Sequence, residues 1–365
     1  MSPRNTSPIL RPANVVPALA LLALVLTWGR DLQPVLVAVV AVVLAAAVLS
    51  AVHHAEVVAH RVGEPFGSIV LAVAVTVIEV ALILALVLSG GPETASLARD
   101  TVFAAVMITM NGILGLSLLL GALRHGTILF NAEGTGAALA TVTSLATLSL
   151  VLPNFTTSRP GPEFSTSQLI FAASAALALY VMFVMTQTGR HRDFFLPVTR
   201  DGEVIKDDHA VPPSNRETVT SLVLLLVALI AIVGQAKVEP PAIEAGVEAA
   251  GFPPSFVGVV IALLVLLPET LAAIRAARRN RIQTSLNLAL GSAIASIGLT
   301  IPVIAVASLF LDGPLLLGLG STQIVLLALT IVVSVLTVVP GRATRLQGGV
   351  HLVLFAAFLF LAVNP

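Results

Sequence analysis

The chain alternates between long apolar stretches and short polar breaks. Eleven stretches approach or exceed the ~20 apolar residues that a helix needs to cross a membrane. They run near residues 15–29, 34–52, 66–88, 101–123, 136–153, 168–187, 218–235, 255–277, 284–311, 314–339 and 346–363. The pattern predicts an all-α polytopic membrane protein with about 11 transmembrane helices, and hence the lipid bilayer as a partner.

Composition supports this class and narrows the chemistry. Hydrophobic residues make up 57% of the chain and charged residues 10%, whereas about a quarter of an ordinary soluble domain is charged. The 19 basic and 19 acidic residues balance, so nothing indicates a nucleic-acid partner. The absence of cysteine excludes disulfides and thiolate metal sites. Oxygen and imidazole ligands remain, and oxygen ligands favour hard cations.

The distribution of basic residues predicts the orientation. Cytoplasmic loops of membrane proteins are rich in Lys and Arg. With the N-terminus inside and the sides alternating, only four of the 19 basic residues face outside, namely Arg30, Arg99, Arg159 and Lys237. One wrong helix would scramble this bias, so we expect an odd number of spans, with the N-terminus inside and the C-terminus outside.

The longest polar break, at residues 189–217, divides the apolar stretches into six and five. We therefore predict an N-terminal helix at 1–32, one repeat at 33–188, a cytoplasmic loop at 189–216 and a second repeat at 217–365. Five is odd, so two similar halves would have opposite orientations, as in many transporters. We expect the loop to be a flexible linker, and a cation- or pH-sensing role is the alternative.

Two carboxylates lie deep within apolar stretches. Glu79 follows Phe66 by 13 residues, and Glu269 follows Phe256 by the same 13, which is roughly 20 Å along a helix. A charge at the centre of a membrane helix costs roughly 2.5–3.5 kcal/mol on insertion scales, so such residues are usually functional. A single buried Glu can merely bond a neighbouring helix, but matched placement in matched helices favours a shared site for cations and protons.

The stretches that follow each carboxylate carry possible supporting ligands. Asn111 lies in the first of them, and Ser292, Ser296 and Thr300 recur every four residues in the second, so they share one helix face. Ordinary helix packing explains these residues about as well as ligation does.

Polar residues before the third stretch give a weaker signal. His53, His54, Glu56 and His60 resemble a metal cluster, although a solvated helix end is the preferred interpretation. Glu64 either caps the third helix or lies, with His60, at the cytoplasmic mouth of a transport pathway.

Two segments resemble a known family. Residues 53–83, which contain GEPFG, and residues 266–303, which begin LLPET and end TIPV, are similar to the alpha-repeats of calcium/cation antiporters, and most of all to the bacterial ChaA type. The resemblance implies one N-terminal helix and two inverted five-helix repeats, with alpha motifs at 63–123 and 255–310. It also implies that Glu79 and Glu269 bind the metal and the exchanged protons, with no cofactor.

The two motifs depart from the family in one respect. Many calcium/proton exchangers carry GNAxE in each repeat, but this chain has VTVIE at 75–79 and VLLPE at 265–269. Thr76 and Leu266 replace the two asparagines, so Thr76 becomes a supporting candidate and calcium selectivity is in question.

The expected function is a secondary antiporter that exchanges Ca²⁺ for H⁺ by alternating access. A Na⁺ or K⁺/H⁺ antiporter that uses the same carboxylates is the first alternative, and a lipid-modifying membrane enzyme or a channel is more remote. A homo-oligomer stays open, and the cell inner membrane is the expected location.

Overall fold

The computed structural model describes residues 12–30, 34–63, 66–89, 95–198, 213–235, 246–310 and 314–365. The described part of the chain contains thirteen α-helices defined at both ends, a further helical turn at 246–249 and one two-stranded sheet. The elements are α1 (Pro12–Thr27), α2 (Pro34–Val62), α3 (Phe66–Ser89), α4 (Leu97–Met107), α5 (Leu114–His125), β1 (Ile128–Leu129), α6 (Ala132–Ala146), α7 (Thr166–Thr188), α8 (Asn215–Gln235), α9 (Phe256–Val265), α10 (Leu267–Arg278), α11 (Ile282–Ala307), α12 (Ser321–Val338), β2 (Arg342–Ala343) and α13 (Arg345–Val363).

Short segments of other helix types join some of these elements. A π-helical turn, Ile108–Ile113, connects α4 to α5. A second one, Thr147–Val151, extends α6 and leads into a 3₁₀ turn at Leu152–Phe155.

Each apolar stretch coincides with one helix or one run of helices, which confirms the all-α polytopic class. Among the described residues, eight helical segments are long and apolar enough to cross a membrane. A further pair, α9 and α10, passes the same test together but is bent by 54° at Leu266, as in a broken span or a re-entrant loop. The two remaining stretches correspond to α1 and α3.

One compact unit contains residues 1–89 and 209–246, and so α1, α2, α3 and α8. His54 is 1% exposed, with its Nε2 2.9 Å from the Ala13 carbonyl and its Nδ1 3.3 Å from the Ser221 hydroxyl. Ser50 donates to the same carbonyl at 2.7 Å. The prediction that these histidines mark a solvated helix end is therefore wrong for His54, because its ring fastens α2 to α1 and α8.

The other unit contains residues 90–208 and 247–365 and is built around α11. Its helices approach closely where glycines remove side chains, as is typical in membranes. A Cβ on Gly115 would lie 2.9 Å from the His351 Cβ, and one on Gly348 would lie 2.5 Å from the Leu119 backbone N. Gly115 faces His351, and Leu119, further along α5, faces Gly348, which lies earlier in α13. The two helices therefore cross antiparallel.

Polar contacts join α11 to the rest of this unit. The hydroxyl of Ser285 donates to that of Ser117 on α5 at 2.6 Å. Asn287 donates to the Phe195 carbonyl at 2.6 Å, and Phe195 is buried. The expected flexible linker at 189–216 is therefore wrong for its first residues, which fold into a 3₁₀ turn at Arg192–Phe195 and pack on the unit.

The segment before α12 differs from its predicted helical form. Residues 314–320 are extended: Leu316 donates to the Ala95 carbonyl and forms a bridge with Glu163, and Leu319 donates to the Leu150 carbonyl. The helix begins only at Ser321, because these backbone groups bond to neighbouring segments instead of to their own turn.

Candidate cation site

Glu79 lies on the inner face of α3 in the first unit. Its side chain is 4% exposed, and Thr76, one turn earlier, is 5% exposed. Residues three apart on a helix share a face, so the carboxylate and the hydroxyl line the same strip. The valines at 73 and 77 are 46% and 41% exposed. The helix therefore buries its ionisable residue together with apolar neighbours such as Ile78, and leaves the two valines exposed.

Glu269 lies at the break between α9 and α10 in the second unit. Leu266 has left the helical region, with φ −85° and ψ 0°, and Pro268 in the first turn of α10 has no N–H to continue the ladder. Glu269 is half-buried and occupies the first turn of α10. The first turn carries the positive end of the helix dipole, which stabilises a carboxylate there.

The backbone at this break is held by a side chain. The Thr270 hydroxyl donates to the Leu266 carbonyl at 2.7 Å, and the Thr270 N–H bonds the same oxygen at 2.9 Å. This carbonyl thus accepts two hydrogen bonds from Thr270, next to the break. The proline within α11, Pro302, gives no such break, and that helix is continuous from Ile282 to Ala307.

The predicted hydroxyl face of α11 is turned inward. Ser296 and Thr300 are both 0% exposed, and Ser292 is half-buried. The Thr300 Oγ1 has no hydrogen-bond partner among the described residues. Buried hydroxyls are normally satisfied, and serine or threonine in a helix usually bonds the carbonyl four residues earlier. An unused, buried hydroxyl oxygen of this kind is available to a cation.

Asn111 is committed to a polar cluster instead. Its Nδ2 donates to the Thr330 hydroxyl at 2.8 Å, and its Oδ1 lies 3.1 Å from the Nδ1 of His351. The Nε2 of His351 lies 3.2 Å from the Thr337 hydroxyl. All four residues are at most 3% exposed. The amide therefore bonds α12 and α13 from within the π-helical turn, where such turns often mark functional positions.

This cluster includes residues that the pattern of the sequence did not single out as site candidates. Thr330 and Thr337 look like ordinary residues of an apolar helix, and only the lone His351 in the last stretch hints at a buried polar contact. The signal was the presence of an imidazole in a stretch whose other residues, except Gln347, are apolar or small.

The candidates at the predicted cytoplasmic mouth do not form a metal cluster in the described residues. His60 is exposed near the end of α2, and Glu64 lies outside the described residues. No group of three or more His, Asp or Glu side chains in the described ranges is placed to hold a metal ion. The carboxylates of Glu79 and Glu269 belong to different units.

Comparison with known proteins places the chain in context. The sequence profile of the sodium/calcium exchanger protein family matches residues 32–189 and 220–364. A candidate ionic transporter of Sinorhizobium fredii, y4hA, is 47% identical over 88% of this chain and 87% of its own length. The sodium-potassium/proton antiporter ChaA of Escherichia coli is 34% identical over 94% of both chains.

A solved structure shares the fold. The H⁺/Ca²⁺ exchanger CAX superimposes with a TM-score of 0.71 over 95% of this chain and 86% of its own, at 16% identity. The correspondence extends along nearly the whole chain, so the helical architecture described above is that of a known class of membrane protein.

Proposed function

Because the chain belongs to the sodium/calcium exchanger protein family, we propose that it is a secondary cation/proton antiporter that exchanges Ca²⁺ for H⁺ by alternating access. The observation that carries this proposal is the pair of carboxylates, Glu79 and Glu269, each deep within a long, mostly apolar stretch. ChaA and CAX are both named as proteins that exchange cations for protons. We infer the same type of transport for this chain from them.

The two carboxylates would form one binding site that holds either a cation or protons. Two negative charges left together in a low-dielectric site are costly, and a bound cation or bound protons remove that cost. Two carboxylates balance one Ca²⁺ or two protons. The loaded forms can then cross between inward- and outward-facing states, whereas the empty form is held back by its charge, so cation and proton movements are coupled.

Neutral oxygens would complete the coordination. Ca²⁺ takes six to eight oxygen ligands, which two carboxylates cannot supply alone. Thr76 beside Glu79, and Ser296 and Thr300 on α11, are the buried hydroxyls that we assign to this role. Asn111 has its amide bonded to Thr330 and His351, so its proposed contribution is to fix the π-helical turn beside the site.

Exchange of Na⁺ or K⁺ is the second candidate function. It is favoured by the identity to ChaA, which is named a sodium-potassium/proton antiporter, and by Thr76 and Leu266 where many calcium exchangers have asparagine. Leucine removes one side-chain oxygen that could serve Ca²⁺, which takes six to eight oxygen ligands.

The test uses purified protein in liposomes with an internal pH indicator and an imposed pH gradient. Ca²⁺, Na⁺, K⁺ and Mg²⁺ are added in turn to the wild type and to Glu79→Gln, Glu269→Gln and Glu133→Gln. Glu133 is an exposed carboxylate in the first turn of α6 and serves as the matched control. We expect Ca²⁺ to collapse the gradient in the wild type and the control only.

The outcomes separate the candidates. A response to Na⁺ or K⁺ alone would support the second function at the same site. Full exchange by the Glu79→Gln/Glu269→Gln protein would refute the site. We also propose two inverted repeats and a location in the bacterial inner membrane. Oppositely oriented halves are testable by labelling single cysteines introduced into the loops of this cysteine-free chain.

A further inference from the structure

A basic pocket lies where the ends of α5 and α10 meet in the second unit. It is lined by Arg124 and His125, in the last turn of α5, and by Arg275, Arg278 and Arg279 at the end of α10. The two helix ends are connected there, because the His125 Nε2 lies 3.3 Å from the Arg278 carbonyl. All five residues lie on the predicted cytoplasmic side.

The pocket keeps a large uncompensated positive charge. Salt bridges in the described part of the chain involve only Arg99 with Asp100 and Arg159 with Glu163, so no described carboxylate pairs with the four pocket arginines. Each helix C-terminus contributes about half a negative charge, and the start of α11 nearby contributes about half a positive one. Together with the four guanidinium groups, these half charges leave a net positive charge of roughly three and a half.

The guanidinium groups are also largely free to bind. Only one of the five donors of Arg275 is used in a described contact, from its Nε to the Leu271 carbonyl at 3.1 Å. Arg124, Arg278 and Arg279 are exposed. The planar fork of arginine donors matches the oxygens of a phosphate, so the pocket has the chemistry of a phosphate site and not merely of a charged loop.

Apolar side chains beside the pocket indicate what carries the phosphate. Leu123 is 57% exposed and precedes Arg124, and Leu271 is 40% exposed one turn before Arg275. A phospholipid whose phosphate contacts the arginines would place its acyl chains against these leucines, whereas free phosphate would make the polar contacts alone. Basic pockets between transmembrane helices on the cytoplasmic side are known to bind acidic lipid headgroups.

We propose that the pocket at Arg124, Arg275, Arg278 and Arg279 is a binding site for an acidic phospholipid of the cytoplasmic leaflet. The phosphate contacts the arginines, and the acyl chains run along Leu123 and Leu271. The lipid thereby joins the end of α5 to the end of α10 and covers charge that no described carboxylate compensates.

The experiment measures lipid binding to the full chain purified in a neutral detergent, where no charged bilayer surface exists. Phosphatidylglycerol and phosphatidylcholine are titrated, and bound lipid is counted by native mass spectrometry. The test variant is Arg124→Gln/Arg278→Gln. The control is Arg190→Gln/Arg345→Gln, which removes the same charge from exposed arginines outside the pocket. Removing two contributing arginines should weaken phosphatidylglycerol binding roughly 30-fold, as contributions of basic residues near lipid headgroups imply.

Each result decides the proposal. Saturable binding of phosphatidylglycerol to the wild type and the control, but not to the test variant, supports it. Equal binding to all three proteins overturns it. Displacement of phosphatidylglycerol by millimolar inorganic phosphate would reassign the pocket to free phosphate. If the test variant aggregates, Arg124→Lys/Arg278→Lys replaces it. Weaker phosphatidylglycerol binding by this variant, which retains the charge, supports recognition of the phosphate by the guanidinium groups. Unchanged binding overturns that recognition.

Discussion

Replacing Gly348 with alanine should force α5 and α13 apart at their crossing. A Cβ at this position would lie 2.5 Å from the Leu119 backbone N and 2.8 Å from its Cα. These atoms belong to the backbone of a buried helix, so no side-chain rotation can relieve the contact. An ordinary contact of about 3.5–4.0 Å between such atoms requires the helices to separate by about 1 Å.

The neighbouring Gly349 supplies a matched control. A Cβ there would meet nothing within 4 Å. Alanine in place of glycine stabilises a helix interior by about 0.5–1 kcal/mol, and this gain is common to both variants. The difference between them therefore isolates the cost of overpacking, which is typically about 1–3 kcal/mol. Gly349→Ala should be slightly more stable than the wild type and Gly348→Ala less stable than Gly349→Ala by that amount.

Reversible unfolding in mixed detergent and SDS micelles, followed by circular dichroism, measures this difference. Thermal midpoints from size-exclusion of heated samples give an independent ranking. Equal stability of the two alanine variants would refute the close crossing of α5 and α13. A large loss in both variants would show instead that glycine is needed for a reason other than the contact with Leu119.

Three further predictions concern the site. Thr300→Val should leave stability unchanged or raised, because the hydroxyl has no described partner, but it should lower the apparent affinity for the transported cation at least severalfold in the liposome assay. His351→Leu should cost about 0.6–2 kcal/mol in SDS unfolding, because it leaves the Asn111 Oδ1 without its donor; adding Asn111→Leu should recover part of this cost, and a fully additive double variant would contradict the pairing. Because protons and cation compete for the same carboxylates, the half-saturating cation concentration should rise as pH falls at a fixed gradient, and a pH-independent value would refute competition.

The helices were predictable because the bilayer imposes length and apolarity on each span. Boundaries failed where other forces act. Residues 314–320 are as apolar as a helix, but their backbone bonds to Ala95, Leu150 and Pro162 on other segments, and no pattern within the stretch indicates this. The helix breaks at Leu266, two residues before Pro268, whereas Pro302 lies within a continuous helix. A proline alone therefore does not predict a break.

The polar positions were less predictable than the apolar ones. Glu79 and Glu269 are recognisable because charge is rare in apolar stretches. His54 was mistaken for a solvated residue, because its partners, Ala13 and Ser221, are 41 and 167 positions away. Asn111 looked equally suited to ligation or packing, and only its contacts with Thr330 and His351 identify the groups that occupy its amide.

The π-helical turn between α4 and α5 carries implications for changes in chain length. Its hydrogen bonds close across five residues instead of four, so it holds one residue more than an α-helical turn. Elsewhere in a helix, deleting a residue rotates all that follows by about 100°, which would remove Gly115 from its crossing with α13. Deleting Met110 from within Ile108–Ile113 would instead let the span wind as one regular helix. At this turn, therefore, the span can lose one residue without a change of helical register, and the helix faces on both sides keep their neighbours.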